Sequence, residues 1–154
     1  MNFHKSQEQI ASDPHRFRVV NCGRRFGKTL LAVLEMIGKA IAKDNRRIAY
    51  IAPTYGQARD ICWNDLKKIV RPIAVNINET RLEIEVKTQE GGTSTIWLRG
   101  WESVETMRGQ RFDFLVIDEV AMVRSFWEEW HEVLRPTLTD TKGNVLGWTS
   151  AGSI

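Results

Sequence analysis

The sequence predicts an α/β fold, a three-layer sandwich with a mainly parallel central sheet and an added β-hairpin. Residues 17–41 read as a strand, a glycine-containing turn and an apolar helix, and residues 47–70 as a second strand and helix. A later apolar run, residues 112–117, ends in Asp118 and Glu119. Strands that alternate with helices form βαβ units, in which helices cover a parallel sheet. Residues 1–154 are long enough for one domain with a real core.

The turn after the first strand matches a phosphate-binding loop with one substitution. That motif has Gly, four free positions and then Gly-Lys-Ser/Thr. Here the positions are filled in order by Cys22, Gly23, Arg24, Arg25, Phe26, Gly27, Lys28 and Thr29. The alternative is a basic turn that contains Gly-Lys-Thr by chance, but the flanking strand and helix are the context that the motif requires.

The chemistry of ATP binding explains these residue types. Backbone N–H groups of the loop surround the phosphates, so Gly27 is the position least able to carry a side chain. Lys28 is expected to reach the β and γ phosphates, and Thr29 to bind Mg²⁺ through its hydroxyl. The helix that starts there directs the positive end of its dipole at the same phosphates.

The remaining elements follow from apolar periodicity. Residues 3–12 form a helical or irregular lead-in that Pro14 ends, and the helix after the loop is apolar nearly all round, which predicts burial against a sheet. Residues 47–53 suit a central parallel strand, and residues 55–70 a helix that Pro72 stops. Between residues 81 and 98 the period becomes two around a Gly-Gly pair, which predicts a hairpin beside the main sheet.

The C-terminal third contains a polar connection, a helix and a strand. Residues 101–111 read as the connection, and residues 145–149 as the last strand. Ser125 is predicted to cap a helix whose apolar side includes Trp127 and Trp130. Because aromatic stripes on helices usually face the core, we assign both tryptophans to it.

Composition narrows the class of protein. The chain has 42% apolar and 27% charged residues, a formal charge of +3 and a pI near 9.0, which is compatible with a polyanionic partner without identifying one. Cys22 and Cys62 are the only cysteines, so no disulfide framework or zinc-ligand spacing can be written. No apolar run approaches the length of a membrane span, and we therefore expect a soluble cytoplasmic protein with no membrane partner.

The acidic pair at the end of the run FLVIDE completes the predicted site. Asp118 is expected to hold Mg²⁺, and Glu119 to orient the water that attacks the γ phosphate. A pair of solvated surface charges is the alternative. The position of the pair, after a phosphate-binding loop in a βαβ chain, favours the functional interpretation.

Several segments together resemble a known family. HKSQ, CGRRFGKT, IAPTYGQA, MRGQRFDFLVIDEVAM and a strand ending in Thr-Ser are similar to the N-terminal ATPase domain of phage large terminase subunits, over essentially the whole chain. The resemblance implies a RecA-like P-loop NTPase fold of the ASCE group and a Mg²⁺-dependent ATPase that packages double-stranded DNA into procapsids in the host cytoplasm. It also implies a portal protein and a small terminase subunit as partners, and a homo-oligomeric ring whose subunits are monomers in isolation.

The resemblance also implies roles for five residues. Gln7 lies where the family keeps a glutamine that reads adenine, with a surface glutamine as the alternative. Arg24 matches an arginine that contacts the phosphates. Arg108 matches an arginine finger directed at a neighbouring subunit's ATP, with a surface salt bridge as the alternative. Thr149 and Ser150 occupy the place of the motif that couples hydrolysis to movement.

The sequence departs from the family pattern in three places. Cys22 replaces the usual first glycine, the tail GWTSAGSI lacks the Thr-Pro-x-Gly character of the coupling motif, and no nuclease domain follows, so DNA cleavage is not expected from this chain. Two other functions stay open. One is the first motor lobe of a helicase-like ATPase, and the other is a nucleotide-binding module that serves assembly without catalysis.

Overall fold

The central sheet has seven strands. A computed structural model describes residues 5–22, 27–119 and 125–150, and the strands within them run in the order β1-β7-β6-β2-β5-β4-β3. They are β1 (Phe17–Cys22), β2 (Arg47–Ala52), β3 (Ala74–Asn78), β4 (Glu83–Lys87), β5 (Thr93–Gly100), β6 (Phe114–Asp118) and β7 (Asn144–Ser150). The five strands from β1 to β5 in that order are parallel, whereas β4 and β3 are antiparallel. The predicted α/β fold with a mainly parallel sheet is confirmed.

Helices connect the strands and cover both faces of the sheet. They are α1 (Lys5–Ser12), α2 (Lys28–Ala42), α3 (Tyr55–Ala58), a π-helical stretch (Arg59–Trp63), α4 (Asn64–Val70), short 3₁₀ segments (Arg71–Ile73 and Trp101–Met107), α5 (Phe126–Glu129), a second π-helical stretch (Trp130–Leu134) and α6 (Arg135–Thr137). The predicted helix at residues 55–70 is therefore one helical run that loosens in its middle. Among the described residues, no helix combines the length and the hydropathy that crossing a membrane requires.

Two apolar clusters separate the three layers. Alternate residues of β2 and β6 point to opposite faces of the sheet, because side chains alternate along a strand. On one face Tyr50 and Val116 join the apolar side of α2, as its burial pattern predicted. On the other face Ile51 and Ile117 join a cluster that includes Trp130. Both faces of β6 are covered, which explains why its sequence is a continuous apolar run.

The predicted hairpin is present, but it belongs to the main sheet. β4 and β5 pair antiparallel, and the turn between them places Gly91 at a φ of +94°. β5 also pairs in parallel with β2, so it is an interior strand rather than a neighbour of the sheet. Its second half is buried on both faces, which the burial of Ile96 and Trp97 illustrates. β3 extends the sheet beyond the hairpin and was not predicted.

The connection at residues 101–111 is more ordered than the sequence prediction stated. Trp101, Val104 and Met107 are buried along the 3₁₀ helix Trp101–Met107. Their spacing of three matches the three residues per turn of a 3₁₀ helix. A pattern of period three inside a polar segment fits neither the 3.6-residue helix nor the two-residue strand, so the prediction of a polar connection was wrong.

Two predictions about the helix after Ser125 were also wrong. Ser125 makes no capping hydrogen bond, and its hydroxyl donates instead to Glu129 Oε1 at 3.0 Å. Trp130 is buried, as predicted, but Trp127 is 69% exposed. The helix presents only one side to the sheet, and Trp127 lies beyond the edge of that side.

A buried ion pair joins the first three elements. Arg18 of β1 donates through Nη1 and Nη2 to both carboxylate oxygens of Glu35 on α2, at 3.0 and 2.9 Å. The same Nη1 donates to the carbonyl of Ile10 on α1 at 2.5 Å. α1 is thereby held against the helix that follows the phosphate-binding loop.

Candidate nucleotide-binding site

The candidate site forms where two parallel strands end. β1 and β6 flank β7 and run in the same direction, so the chain leaves both at one edge of the sheet. Lys28 begins the helix after β1, while Asp118 ends β6 and Glu119 follows it. Parallel sheets bind ligands at the carboxyl ends of their strands. The convergence that the sequence predicted is present.

Lys28 contacts both members of the acidic pair. Its Nζ lies 2.6 Å from Glu119 Oε1 and 3.4 Å from Asp118 Oδ1. Burial works against the ammonium charge, but the hydrogen bond to Glu119 and the negative charges of both carboxylates outweigh it, so the pKa of Lys28 is raised. Lys28 is therefore a positive charge held between two carboxylates at neutral pH.

Asp118 is buried and its two oxygens have different environments. Oδ2 accepts a hydrogen bond from the hydroxyl of Tyr50 on β2, at 2.5 Å. Oδ1 accepts no hydrogen bond from the described residues. A buried carboxylate oxygen without a donor suits a hard cation, because Mg²⁺ prefers oxygen ligands. The carboxylate thus fits the predicted metal role.

Glu119 adopts an unusual backbone conformation. Its φ is +54°, in the left-handed region that residues with a side chain rarely occupy. Such strain costs roughly 1–3 kcal/mol and concentrates at functional sites. Here it turns the chain immediately after β6 and leaves the Glu119 carboxylate beside Lys28.

Gly27 and Gln7 form the entrance to α2. Gly27 has a φ of +78°, and a Cβ added there would lie 2.6 Å from Gln7 Nε2. That nitrogen donates to the Gly27 carbonyl at 3.0 Å. Gln7 is buried, so the alternative of a surface glutamine is wrong. Its contact is with the loop glycine itself, which local sequence patterns do not show.

The other predicted loop residues divide into three groups. Thr29 lies half-buried in the first turn of α2, next to Lys28. The predictions for Gly23, Arg24, Arg25 and Phe26 fall outside the described residues. Cys22, Thr149 and Ser150 pair within β1 and β7, and the predictions for their side chains likewise fall outside what is described.

Arg108 contacts none of the three charged groups at this edge. Its Nε and Nη2 each donate to a carboxylate oxygen of Glu105 at 2.9 Å, and its Nη1 donates to the carbonyl of Glu132 at 3.2 Å. Arg108 and Glu105 are both exposed. A surface ion pair is what the structure contains, and the role of an arginine finger stays a prediction.

Tyr50 is the site residue that sequence reasoning missed. The sequence places it inside an apolar strand, where a tyrosine is ordinarily a core residue. The only available signal was the polar atom itself, since a buried tyrosine hydroxyl usually has a partner. The partner lies 68 positions away on β6.

The site contains the groups that nucleoside triphosphate chemistry requires. A helix N-terminus and an ammonium provide positive charge for phosphates, and Thr29 and Asp118 provide oxygens for Mg²⁺. Glu119 supplies a second carboxylate within reach of the same space.

Comparisons with known proteins agree with this geometry. The family model described as terminase large subunit, T4likevirus-type, N-terminal, matches residues 19–142. Terminase large subunits of Thermus phage G20c and Escherichia phage T5 are 27% and 26% identical to the chain, over 93% and 87% of its length. The chain spans 32% and 30% of those relatives' lengths.

Solved structures share the fold. The large terminase ATPase domain of Thermus phage P74-26 is 25% identical, with a TM-score of 0.75 over 96% of this chain and 64% of that one. The large terminase from another thermophilic bacteriophage, in complex with ADP, is 20% identical, with a TM-score of 0.73 over 96% of this chain and 38% of that one. With the family model covering both the helix after the loop and the acidic strand, the chain belongs to the T4likevirus-type terminase large subunit family and corresponds to its N-terminal part.

Proposed function

We propose that this chain binds ATP with Mg²⁺ at the carboxyl edge of β1 and β6, and that it hydrolyses the bound ATP. The observation that carries the proposal is the convergence of Lys28 on Glu119 at 2.6 Å and on Asp118 at 3.4 Å. Local sequence cannot bring together residues about ninety positions apart, so the contact is independent of the motifs that suggested it. The thermophilic-phage large terminase that shares the fold has been solved with ADP and with ATP-γ-S.

Each residue has a specific role in the proposal. Lys28 binds the β and γ phosphates, and the amides of the loop from Cys22 to Gly27 surround them. Thr29 and Asp118 hold Mg²⁺, which would neutralise charge that develops on the phosphates. Glu119 orients and polarises the attacking water. Gln7 supports the Gly27 carbonyl from the side where adenine would lie.

Nucleotide binding must rearrange the contact between Lys28 and Glu119. In the structure the ammonium is paired with the carboxylate. Phosphates would attract Lys28 away from Glu119 and so release that carboxylate to act on water. We propose that substrate binding itself activates Glu119 in this way.

The membership of the family extends the proposal to DNA. In the assembled motor we propose that residues 1–154 act as one ATPase domain whose hydrolysis drives double-stranded DNA into the procapsid. The motor would be a homo-oligomeric ring working with a portal protein and a small terminase subunit in the host cytoplasm. Arg108 would act on the ATP of a neighbouring subunit, after leaving Glu105.

Two substitutions test the hydrolysis. Lys28→Ala should lose nucleotide affinity because its phosphate contact is gone. Glu119→Gln should keep affinity but lose about 10²- to 10⁴-fold in turnover, the usual contribution of a general base. Steady-state phosphate release and equilibrium nucleotide binding are measured in parallel for each variant.

Matched controls separate these effects from general damage. Lys39→Ala removes another lysine of α2, which lies over the ring of Phe114, and Glu128→Gln changes an exposed carboxylate of α5. Both controls should behave like the parent. If Glu119→Gln hydrolyses ATP as fast as the parent, Glu119 is not the catalytic carboxylate. If the parent binds ATP without turnover, the chain is the assembly module instead.

A further inference from the structure

Tyr50 lies in the core and yet its polar atom reaches the candidate site. Its side chain is fully buried on β2, on the face of the sheet that α2 covers. In the register of the sheet it stands beside Val116 on β6, two residues before Asp118. Residues two apart on a strand share a face, so Asp118 extends along the same face as Tyr50.

The hydrogen bond from Tyr50 divides the work of the Asp118 carboxylate. The hydroxyl donates to Oδ2 at 2.5 Å, a length typical of bonds to a charged oxygen. Oδ1 is left 3.4 Å from Lys28 Nζ and accepts no hydrogen bond from the described residues. A carboxylate held by one oxygen cannot rotate freely, and its second oxygen stays directed at the space beside Lys28.

A core role alone does not explain the hydroxyl. The ring of Tyr50 would pack equally well as phenylalanine, since the surrounding cluster is apolar. Burial, together with the neighbouring negative charge of Asp118, raises the pKa of Tyr50. The hydroxyl therefore keeps its proton and remains a donor over the whole physiological range.

We infer that Tyr50 is a positioning residue for the Mg²⁺ ligand Asp118, an inference that rests on the proposed function. It orients the carboxylate through Oδ2 and leaves Oδ1 for the metal or for a metal-bound water. Outer partners of this kind commonly change metal affinity by about 10- to 100-fold when they are removed. Tyr50 should therefore matter for Mg²⁺ and not for the nucleotide alone.

The test measures metal and nucleotide binding separately on the full 154-residue chain. Binding of a fluorescent, non-hydrolysable ATP analogue is measured first in EDTA and then during a Mg²⁺ titration. Tyr50→Phe should bind the analogue in EDTA like the parent, and should need about 10- to 100-fold more Mg²⁺ for the same gain in affinity. Tyr55→Phe is the matched control, because it removes a hydroxyl that donates to the carbonyl of Thr80.

A double-mutant cycle shows whether Tyr50 acts through Asp118. In an Asp118→Asn background, the added Tyr50→Phe change should leave the Mg²⁺ titration unaltered. An equal further loss in that background would overturn the inference. So would a Tyr50→Phe titration that superimposes on the parent's, or a Tyr50→Phe protein that is unfolded at the assay temperature, because the hydroxyl would then serve folding.

The same data distinguish this inference from the proposed function. A parent chain that shows no Mg²⁺-dependent nucleotide binding would contradict both. A parent that binds normally beside a parent-like Tyr50→Phe would contradict only the role of Tyr50.

Discussion

The buried pair of Arg18 and Glu35 should stabilise the fold far more than an exposed pair of the same geometry. Both pairs are two-pronged: Arg18 meets Glu35 at 3.0 and 2.9 Å, and Arg108 meets Glu105 at 2.9 Å twice. The side chains of the first pair are 6% and 8% exposed, and those of the second are 50% and 65% exposed. Burial is therefore the main difference between them.

The expected magnitudes follow from that difference. Glu35→Gln keeps the shape of the side chain but leaves the Arg18 charge buried without its counter-charge, which costs about 3–5 kcal/mol. Glu105→Gln breaks a solvated pair, and its effect should lie at about 0–1 kcal/mol. For a chain of this size the first change corresponds to a Tm lower by roughly 6–20 °C.

Urea unfolding of the parent and both variants measures the two free energies. The slope with denaturant should stay constant, because neither change alters the surface exposed on unfolding. Equal shifts of the unfolding midpoint for Glu35→Gln and Glu105→Gln would refute the reasoning, since burial would then not decide the strength of the pair.

Three further predictions concern the loop, a thiol and the oligomer. Gly27→Ala should destabilise by about 1–2 kcal/mol in urea unfolding, since φ is +78° and the new methyl group would displace Gln7. Gly38→Ala in the same helix should be neutral or stabilising by up to about 1 kcal/mol, because nothing lies within 4 Å of its new Cβ, and equal losses for both would contradict this account. Burial raises the pKa of Cys62 to about 12, so a thiol reagent at pH 8 should reach Cys62 only after unfolding, as a Cys62→Ala comparison would show. The folded state then holds a proton that the unfolded state loses above about pH 8.5, and stability should fall as the pH rises from there toward 12. If Arg108 acts on a neighbour, ATP turnover per subunit should rise with protein concentration, and Arg108→Ala should abolish the rise; flat turnover in the parent counts against it.

Elements with a strong local period could be predicted from sequence. The apolar side of α2 and the continuous apolar runs of β2 and β6 gave correct predictions, because helix and strand periods act over a few residues. The weaker signals failed. β3 is mostly exposed and carries little apolar pattern, and the 3₁₀ helix Trp101–Met107 has a period that neither template contains.

The candidate site divides in the same way. Lys28 and the acidic pair carry a motif, and the rule that parallel strands end at one edge was enough to predict their meeting. Gln7 carries no motif that reveals its bond to the Gly27 carbonyl, and Trp127 carries none that reveals its exposure. Those facts depend on where α1 packs and on how far the sheet extends beneath α5.

The order of residues along the chain was sufficient for the class of fold, the phosphate-binding turn and the carboxylates opposite it, because each is encoded within a short segment. Packing between distant segments decided the rest: the second oxygen of Asp118 left open by Tyr50, the left-handed turn at Glu119 and the buried fork between Arg18 and Glu35. The physical reason is that hydrogen bonds and charges are strong only where water is excluded, and water is excluded only after the layers have come together.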